Sequence, residues 1–495
     1  MAPTVPSDGV AHDRTFRESM TLLLASGIGS GVLVLPRSMA AVGCVPAAVY
    51  FFVGAAISGL TTWFLSMAML EVRRRWIEEE LYRGAQHPYH QLSEGVARHA
   101  SPTTWQDMEP TSPMSPSPNL KRSTSFREFV TRVGPSYGDL VEKATNDVFP
   151  FASTILDCVL FFHNTLALTV YFLFVSESLE RISFWPANSK HLGEPYAHVV
   201  TILWTALVGC WLSTWPTIGR LARLANSSPA VLWLMMFSIW MECPFGPFPI
   251  HREDIRPHVE LREPLAAAFA DDWVRRSPAV LCIVVFASFW HTNCVAVARE
   301  FHDATPTRLL ALSFTSSSLL GLLYYLIAWG GYITWGERLL HAPNIVSLYS
   351  PENPAFICVR AGLAFSLSIA IPLNVFPIRE SVQNMRPFDK MPKALRRILL
   401  GTDPRTRANR EHEILGVILV LIPMTLSLCF SNVVQLITFL GGSLVSLLMI
   451  VFPCIVFRLV APPDCRIWFW FVLLAGGAVA MFLVLASWGW IGDSA

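Results

Sequence analysis

The first chemistry this sequence offers is main-chain chemistry. In Ser26-Gly27-Ile28-Gly29-Ser30-Gly31, three glycines and two serines fall within six positions of an apolar run that continues through Val32-Leu33-Val34-Leu35-Pro36. Glycine costs roughly 1 kcal/mol relative to alanine in a helix interior, so the cluster predicts backbone that leaves the helix. Inside hydrocarbon such backbone persists only where protein buries it or where it lines a wet cavity. Free N–H groups there, together with the positive end of the half-helix begun by Ser30 and Gly31, would hold a carboxylate. Carbonyls freed around Ser26 and Gly27 would accept from an ammonium, and Gly29 lets a ligand approach closely. The plainer reading of the same residues is a small-residue stripe that lets another helix pack tightly.

A second interruption lies at Phe286-Ala287-Ser288-Phe289-Trp290-His291-Thr292-Asn293, where a histidine and an asparagine sit in the middle of an apolar segment. Polar groups at bilayer depth are costly and usually face a cavity or a partner. His291 is a candidate proton carrier, because an unperturbed imidazole titrates near working pH; a hydrogen-bonded structural histidine at a helix break is the alternative. Asp157 is the next candidate carrier.

These groups need elements to position them. Of the 495 residues, 53% are hydrophobic and only 15% charged, well below the roughly 25% charged of soluble domains. The composition predicts an all-α polytopic membrane protein. Runs of about 20 apolar residues are long enough to cross a bilayer, and eleven are read here, at 18–42, 47–71, 151–179, 198–218, 224–242, 277–298, 308–335, 355–378, 413–432, 434–459 and 466–490. Lys and Arg collect between the second and third runs and between the eighth and ninth, which places both connections, and the 1–17 tail, in the cytoplasm and the C-terminus outside. Arg275 and Arg276 fall on the outer side in this scheme, partly offset by Asp271 and Asp272. The first and sixth runs then enter from opposite sides, five crossings apart, as an inverted five-plus-five repeat requires. The first repeat spans 18–245, an extracellular loop 246–276, the second repeat 277–460 with its cytoplasmic loop 379–412, and the eleventh helix lies beyond.

Loop 73–150 is rich in Ser-Pro pairs and short of aliphatics, so it is read as a disordered cytoplasmic tether. Lys121-Arg122-Ser123-Thr124-Ser125 within it offers hydroxyls beside basic residues to kinases or other regulators. The sequon at Asn226 falls on the cytoplasmic side and is expected to stay unmodified. A net charge of +1 gives no reason to expect nucleic acid as a partner. Ten cysteines are scattered without a CxxC pair, which indicates neither a metal site nor a disulfide framework, and no cofactor is implied.

Several segments together resemble the amino acid/auxin permease family, especially its neutral-amino-acid branch. Gly29-Ser30-Gly31-Val32-Leu33-Val34-Leu35 is similar to the family's GSGILGL-type stretch, and His163-Asn164-Thr165-Leu166 through Tyr171 to its QN…Y pattern. Phe286-Ala287, His291 and Glu300 match its FAF..H…E stretch. Arg360, Pro372 and Val375-Phe376-Pro377-Ile378-Arg379 with Ser381-Val382 match the eighth helix, and Gly441-Gly442-Ser443 with Phe452-Pro453 the tenth. The resemblance implies the fold of the bacterial leucine transporter and an alternating-access carrier of amino acids; a cationic substrate would want a carboxylate, and Asp157 is the only obvious one nearby, so neutral ones are preferred. Phe286, Ser288 and Phe289 would line the side-chain pocket, with Asn164 and Tyr171 facing it from the third helix. Glu300 would act as a gate or salt-bridge partner, with Arg379 as the residue it meets. Sodium-dependent members draw oxygens from the first and eighth helices, but Ala25 stands at the first-helix Asn position and Ala370 at one of two eighth-helix hydroxyls. Ser368 is retained and Ser366 is nearby. Proton coupling or facilitated exchange is therefore expected over sodium symport. The plasma membrane is the expected location, with a lysosomal or vacuolar membrane as the alternative.

Two readings of other kinds were weighed. A polytopic membrane enzyme would need converging acid–base groups, and although His163 and Asp157 are near in sequence, no HExxH or GxSxG accompanies them. An amino acid sensor on the same fold would look alike in sequence and would bind without flux.

Overall fold

A computed structural model describes residues 15–27, 29–99, 137–145, 149, 151–182, 185–186, 193–215, 224, 227–244, 246–247, 268–301, 304–384, 404–430, 432–460 and 474–484. The phosphate-accepting stretch at 121–125, the Ser-Pro run and Asn226 lie outside them.

The described chain is all helical. The first apolar run is split into α1 (Phe16–Gly27) and α2 (Leu35–Val42), joined through a 3-10 turn at Ser30–Leu33. Next come α3 (Cys44–His99), the short α4 (Tyr137–Thr145), α5 (Ala152–Glu180), α6 (Glu194–Ser213) and α7 (Ser228–Glu242). The sixth run is split into α8 (Trp273–Ala287) and α9 (His291–Glu300). Then follow α10 (Pro306–Trp335), α11 (Pro354–Asn384), α12 (Pro404–Cys429), α13 (Val433–Val460) and α14 (Leu474–Val484). Among the described residues, eight helices are long and apolar enough to cross a membrane, and α7 and α14 are shorter apolar helices. The helix α3 runs on to His99, well into the segment read as a disordered tether. Its continuation past the apolar part is rich in Glu and Arg, with Arg74 bonded to Glu71 and Glu78 one turn to either side, the pairing that supports an exposed helix.

Small residues set how closely the helices pack. A side chain added at Gly321 of α10 would meet Ala55 of α3 at 2.8 Å, and one at Gly59 would meet Ser317 at 2.5 Å, so α3 and α10 lie against each other along their length. On the other side α5 packs along α11, and α12 against α5 and α6. The helix α13 loosens into π-helical turns at Gly441–Val445 and Leu447–Val451. A Cβ at Gly441 would fall 1.8 Å from the Cys282 carbonyl oxygen, so α13 touches α8 backbone to backbone at that point. Arg360, fully buried in α11, donates to the carbonyls of Val346, Tyr349 and Ser350 and so pins the connection that precedes its own helix. Those carbonyls offset part of the cost of burying the guanidinium, whose Nε is left without a hydrogen-bond partner.

Candidate functional site

The glycine run does break its helix. The α1 segment ends at Gly27, Gly29 is extended, and α2 restarts at Leu35 with Pro36 in its first turn, where a missing N–H costs nothing. The second break falls at Ser288-Phe289-Trp290, between α8 and α9. Both breaks open on one small cavity of about 30 Å³, bounded on the first side by Ser26, Gly27, Gly29 and Gly31 and on the second by Phe286, Ala287, Phe289, Thr292 and Asn293. The helix α5 adds His163, Ala167 and Tyr171, and α11 adds Asn374.

Each break has its freed carbonyl capped by a neighbouring helix. Tyr324 of α10 donates its hydroxyl to Gly27 O at 2.6 Å. Ser58 of α3 donates to Ser288 O at 2.7 Å. The breaks also interlock: the Trp290 ring lies over Gly27, where an added Cβ would come within 2.5 Å of it, and its Nε1 donates to Thr62 at 2.8 Å. A Cβ at Gly31 would meet the Ala287 backbone at 2.8 Å, and one at Gly29 would stand 3.3 Å from the Tyr171 hydroxyl. Contact rather than backbone conformation therefore calls for glycine at 27 and 31, and leaves little room for a side chain at 29. Two helix C-termini (α1, α8) and two helix starts (the Ser30 turn, α9) converge on the cavity, so partial negative and partial positive poles are both present.

Of the residues singled out in the sequence, the structure brings Ser26, Gly27, Gly29, Gly31, Tyr171, Phe286 and Phe289 together around the cavity. Ser30 contributes backbone to the 3-10 turn. Ser288 faces away, its Oγ toward Gly54 of α3 and its carbonyl taken by Ser58. Asn164 is buried beside the cavity but not in its wall. His291 is sealed from the space behind Phe289, whose ring stacks on it at 5.5 Å, and its Nε2 lies 2.8 Å from Thr61 Oγ1. Asp157 lies lower on α5, partly buried and outside the lining. Ser366 donates to Ser228 of α7 at 2.6 Å, and Ser368 is partly buried on α11. Arg379 is buried, donates to Ser213 O at 2.7 Å and lies beside the His412 ring. The Glu300 side chain is outside what is described, so its expected pairing with Arg379 has no counterpart to report.

Among the cavity and break residues that sequence reasoning missed are His163, Asn374, Tyr324 and Trp290. Asn374 carried the same signal as His291, a polar side chain in mid-span. It donates to Ala370 O at 2.8 Å and reaches Tyr171.

A family model described as "Transmembrane amino acid transporter protein" matches residues 125–492. The putative amino acid transporter AAT1 of Toxoplasma gondii is 28% identical over 127 residues, which cover 26% of this chain and 17% of that protein. Human sodium-coupled neutral amino acid transporter 4 is 25% identical over 184 residues, 36% of this chain and 30% of its own length. The matched stretches therefore span less than a third of these relatives. Among solved structures, MhsT in complex with L-phenylalanine superposes with a TM-score of 0.53 at 11% identity, over 95% of this chain and 98% of its own. At that identity the likeness speaks for the fold, which is leucine-transporter-like. Matched by the family model over more than half its length, the chain belongs to the transmembrane amino acid transporter family, the amino acid/auxin permeases, which is a family of transporters and not of enzymes.

Proposed function

We propose that this chain is a secondary transporter that carries neutral amino acids across a membrane by alternating access, with the substrate held between the two helix breaks. The observation that carries the reading is their convergence on one cavity. An α-carboxylate at the Gly29–Gly31 turn would meet the main chain where the helix restarts, although the Gly29 N–H itself is donated to Gly27 O at 2.8 Å, while an ammonium would lie toward the negative end of α1. No Asp, Glu, Lys or Arg is in the cavity lining among the described residues, which favours a side chain without charge. The name of human sodium-coupled neutral amino acid transporter 4, and the L-phenylalanine bound by MhsT, point the same way.

The topology proposed with it is eleven crossings: repeats over 18–245 and 277–460 related by inversion, α14 within an eleventh helix at 466–490, and the N-terminus in the cytoplasm of a cell with the carrier in its plasma membrane. For coupling, protons or simple exchange are preferred over sodium. Ala25 and Ala370 supply no side-chain oxygen, the Ala370 carbonyl accepts from Asn374, and the Gly27 carbonyl is engaged by Tyr324. A sodium ion would find these oxygens already bonded. The experiment is uptake of a panel of labelled amino acids by the purified chain in lipid vesicles, at two pH values, with and without sodium. Saturable uptake of neutral amino acids without sodium is expected. Binding without flux would make the protein a sensor, and an absolute sodium requirement would refute the coupling.

A further inference from the structure

His163 stands apart from the rest of the cavity wall. It is 3% exposed, its Nδ1 is buried with no hydrogen-bond partner, and its ring borders the cavity. Phe289 packs against it edge to face, with centroids 4.7 Å apart, so the imidazole is held in place without being hydrogen-bonded. A buried polar group left unpaired is costly, and a ligand that supplies the complement recovers that cost.

Position matters as much as chemistry. Tyr171, beside the glycine turn, and His163 are two helical turns apart on α5, about 12 Å along the axis at 1.5 Å per residue. Ala167 lies between them with only a methyl group, and all three border the same cavity. A substrate whose α-carboxylate and ammonium sit at the helix-one break would place a short side chain near Ala167. Only a longer one would extend toward His163. Elsewhere in the lining Thr292 and Asn293 are polar and Phe286 is apolar, and Phe289 packs against His163 itself.

We propose that His163 is a specificity-determining residue, which selects neutral amino acids whose side chain is long and ends in a hydrogen-bonding group such as a carboxamide. The proposal deepens the transport reading and rests on it. L-glutamine and L-methionine have side chains of similar length, and only the first ends in a donor and an acceptor; L-alanine is too short to reach.

The test is kcat and KM for these three in vesicles containing the full chain, for the wild type, His163→Phe and His163→Gln. In the wild type, kcat/KM for glutamine is expected to exceed that for methionine by about tenfold or more, the scale of one well-made hydrogen bond. His163→Phe should bring the ratio to about one, lowering glutamine transport far more than alanine transport, and His163→Gln should keep much of the preference. A residue that only supports the fold would lower all three substrates together. If His163→Phe transports nothing, the wild type and His163→Gln decide: a preference present in both supports the assignment. A ratio near one in the wild type, or a ratio unmoved in His163→Phe, overturns it while leaving transport intact. A wild type that neither binds nor moves any amino acid overturns the transport reading and this one with it.

Discussion

The two breaks that face each other across the cavity are made in opposite ways. In the first, side chains are removed: Gly27, Gly29 and Gly31 leave room for Trp290, Tyr171 and Ala287 to come within contact of the backbone. In the second, side chains are added: Phe289 and Trp290 wedge between α8 and α9, one toward His163 and His291, the other onto Gly27. Each break leaves a carbonyl without its helical partner, and in both a hydroxyl from an unbroken helix donates to it, Tyr324 to Gly27, which also accepts from the Gly29 N–H, and Ser58 to Ser288. The caps differ in setting. Gly27 borders the cavity and Ser288 does not. An unwound segment in a membrane protein thus needs more than helix-breaking residues. It needs a neighbour that satisfies the backbone and a partner that fills the space.

This contrast can be broken at four points. Trp290→Ala removes the wedge that fills both the second break and the hollow over Gly27. Emptying a fully buried aromatic site costs about 3–5 kcal/mol, so the largest drop in thermal stability of the purified protein is expected here, with loss of uptake. Tyr324→Phe keeps the ring and deletes one of two hydrogen bonds to Gly27 O, which retains the Gly29 N–H at 2.8 Å, at a cost of about 1 kcal/mol. Because that carbonyl borders the cavity, KM should rise as well, which vesicle uptake would read. Ser58→Ala should cost a similar or smaller amount of stability with KM little changed, since Ser288 faces away. If the two cap deletions change KM equally, the distinction between a ligand-facing break and a merely structural one fails. Ser366→Ala, remote from both breaks, removes one hydrogen bond to Ser228 and should cost about 1 kcal/mol with no effect on either kinetic constant.

Much of this was legible in the chain itself. Glycine's poor helix propensity located the first break within a residue or two, and the mid-span polar run from His291 to Asn293 located the second. Charge in the connections and the spacing of apolar runs indicated that both belong to one membrane-embedded arrangement. What the sequence could not convey was which way side chains turn. The helix α5 turns about 100° per residue, so His163 and Asn164, adjacent in sequence, face different neighbours, and the pattern that paired Asn164 with Tyr171 chose the one beside the cavity. His291 was singled out for its depth in the span, but depth does not distinguish a cavity wall from the layer behind it. Tyr324 and Trp290 were passed over because aromatic residues are common in every span. Their roles follow from contacts 297 and 228 residues away in the chain, which no local pattern encodes.

The central claim is that the space between the two breaks is where the amino acid is held. Gly31→Leu places a side chain against the Ala287 backbone, 2.8 Å from where its Cβ must sit, and so tests that claim at its narrowest point. Gly477→Leu, where a Cβ would meet nothing within 4 Å, is the matched control. Saturable uptake of a neutral amino acid in vesicles should be abolished in Gly31→Leu at normal levels of inserted protein and unchanged in Gly477→Leu. Uptake by Gly31→Leu with the wild-type KM and kcat would place the substrate elsewhere.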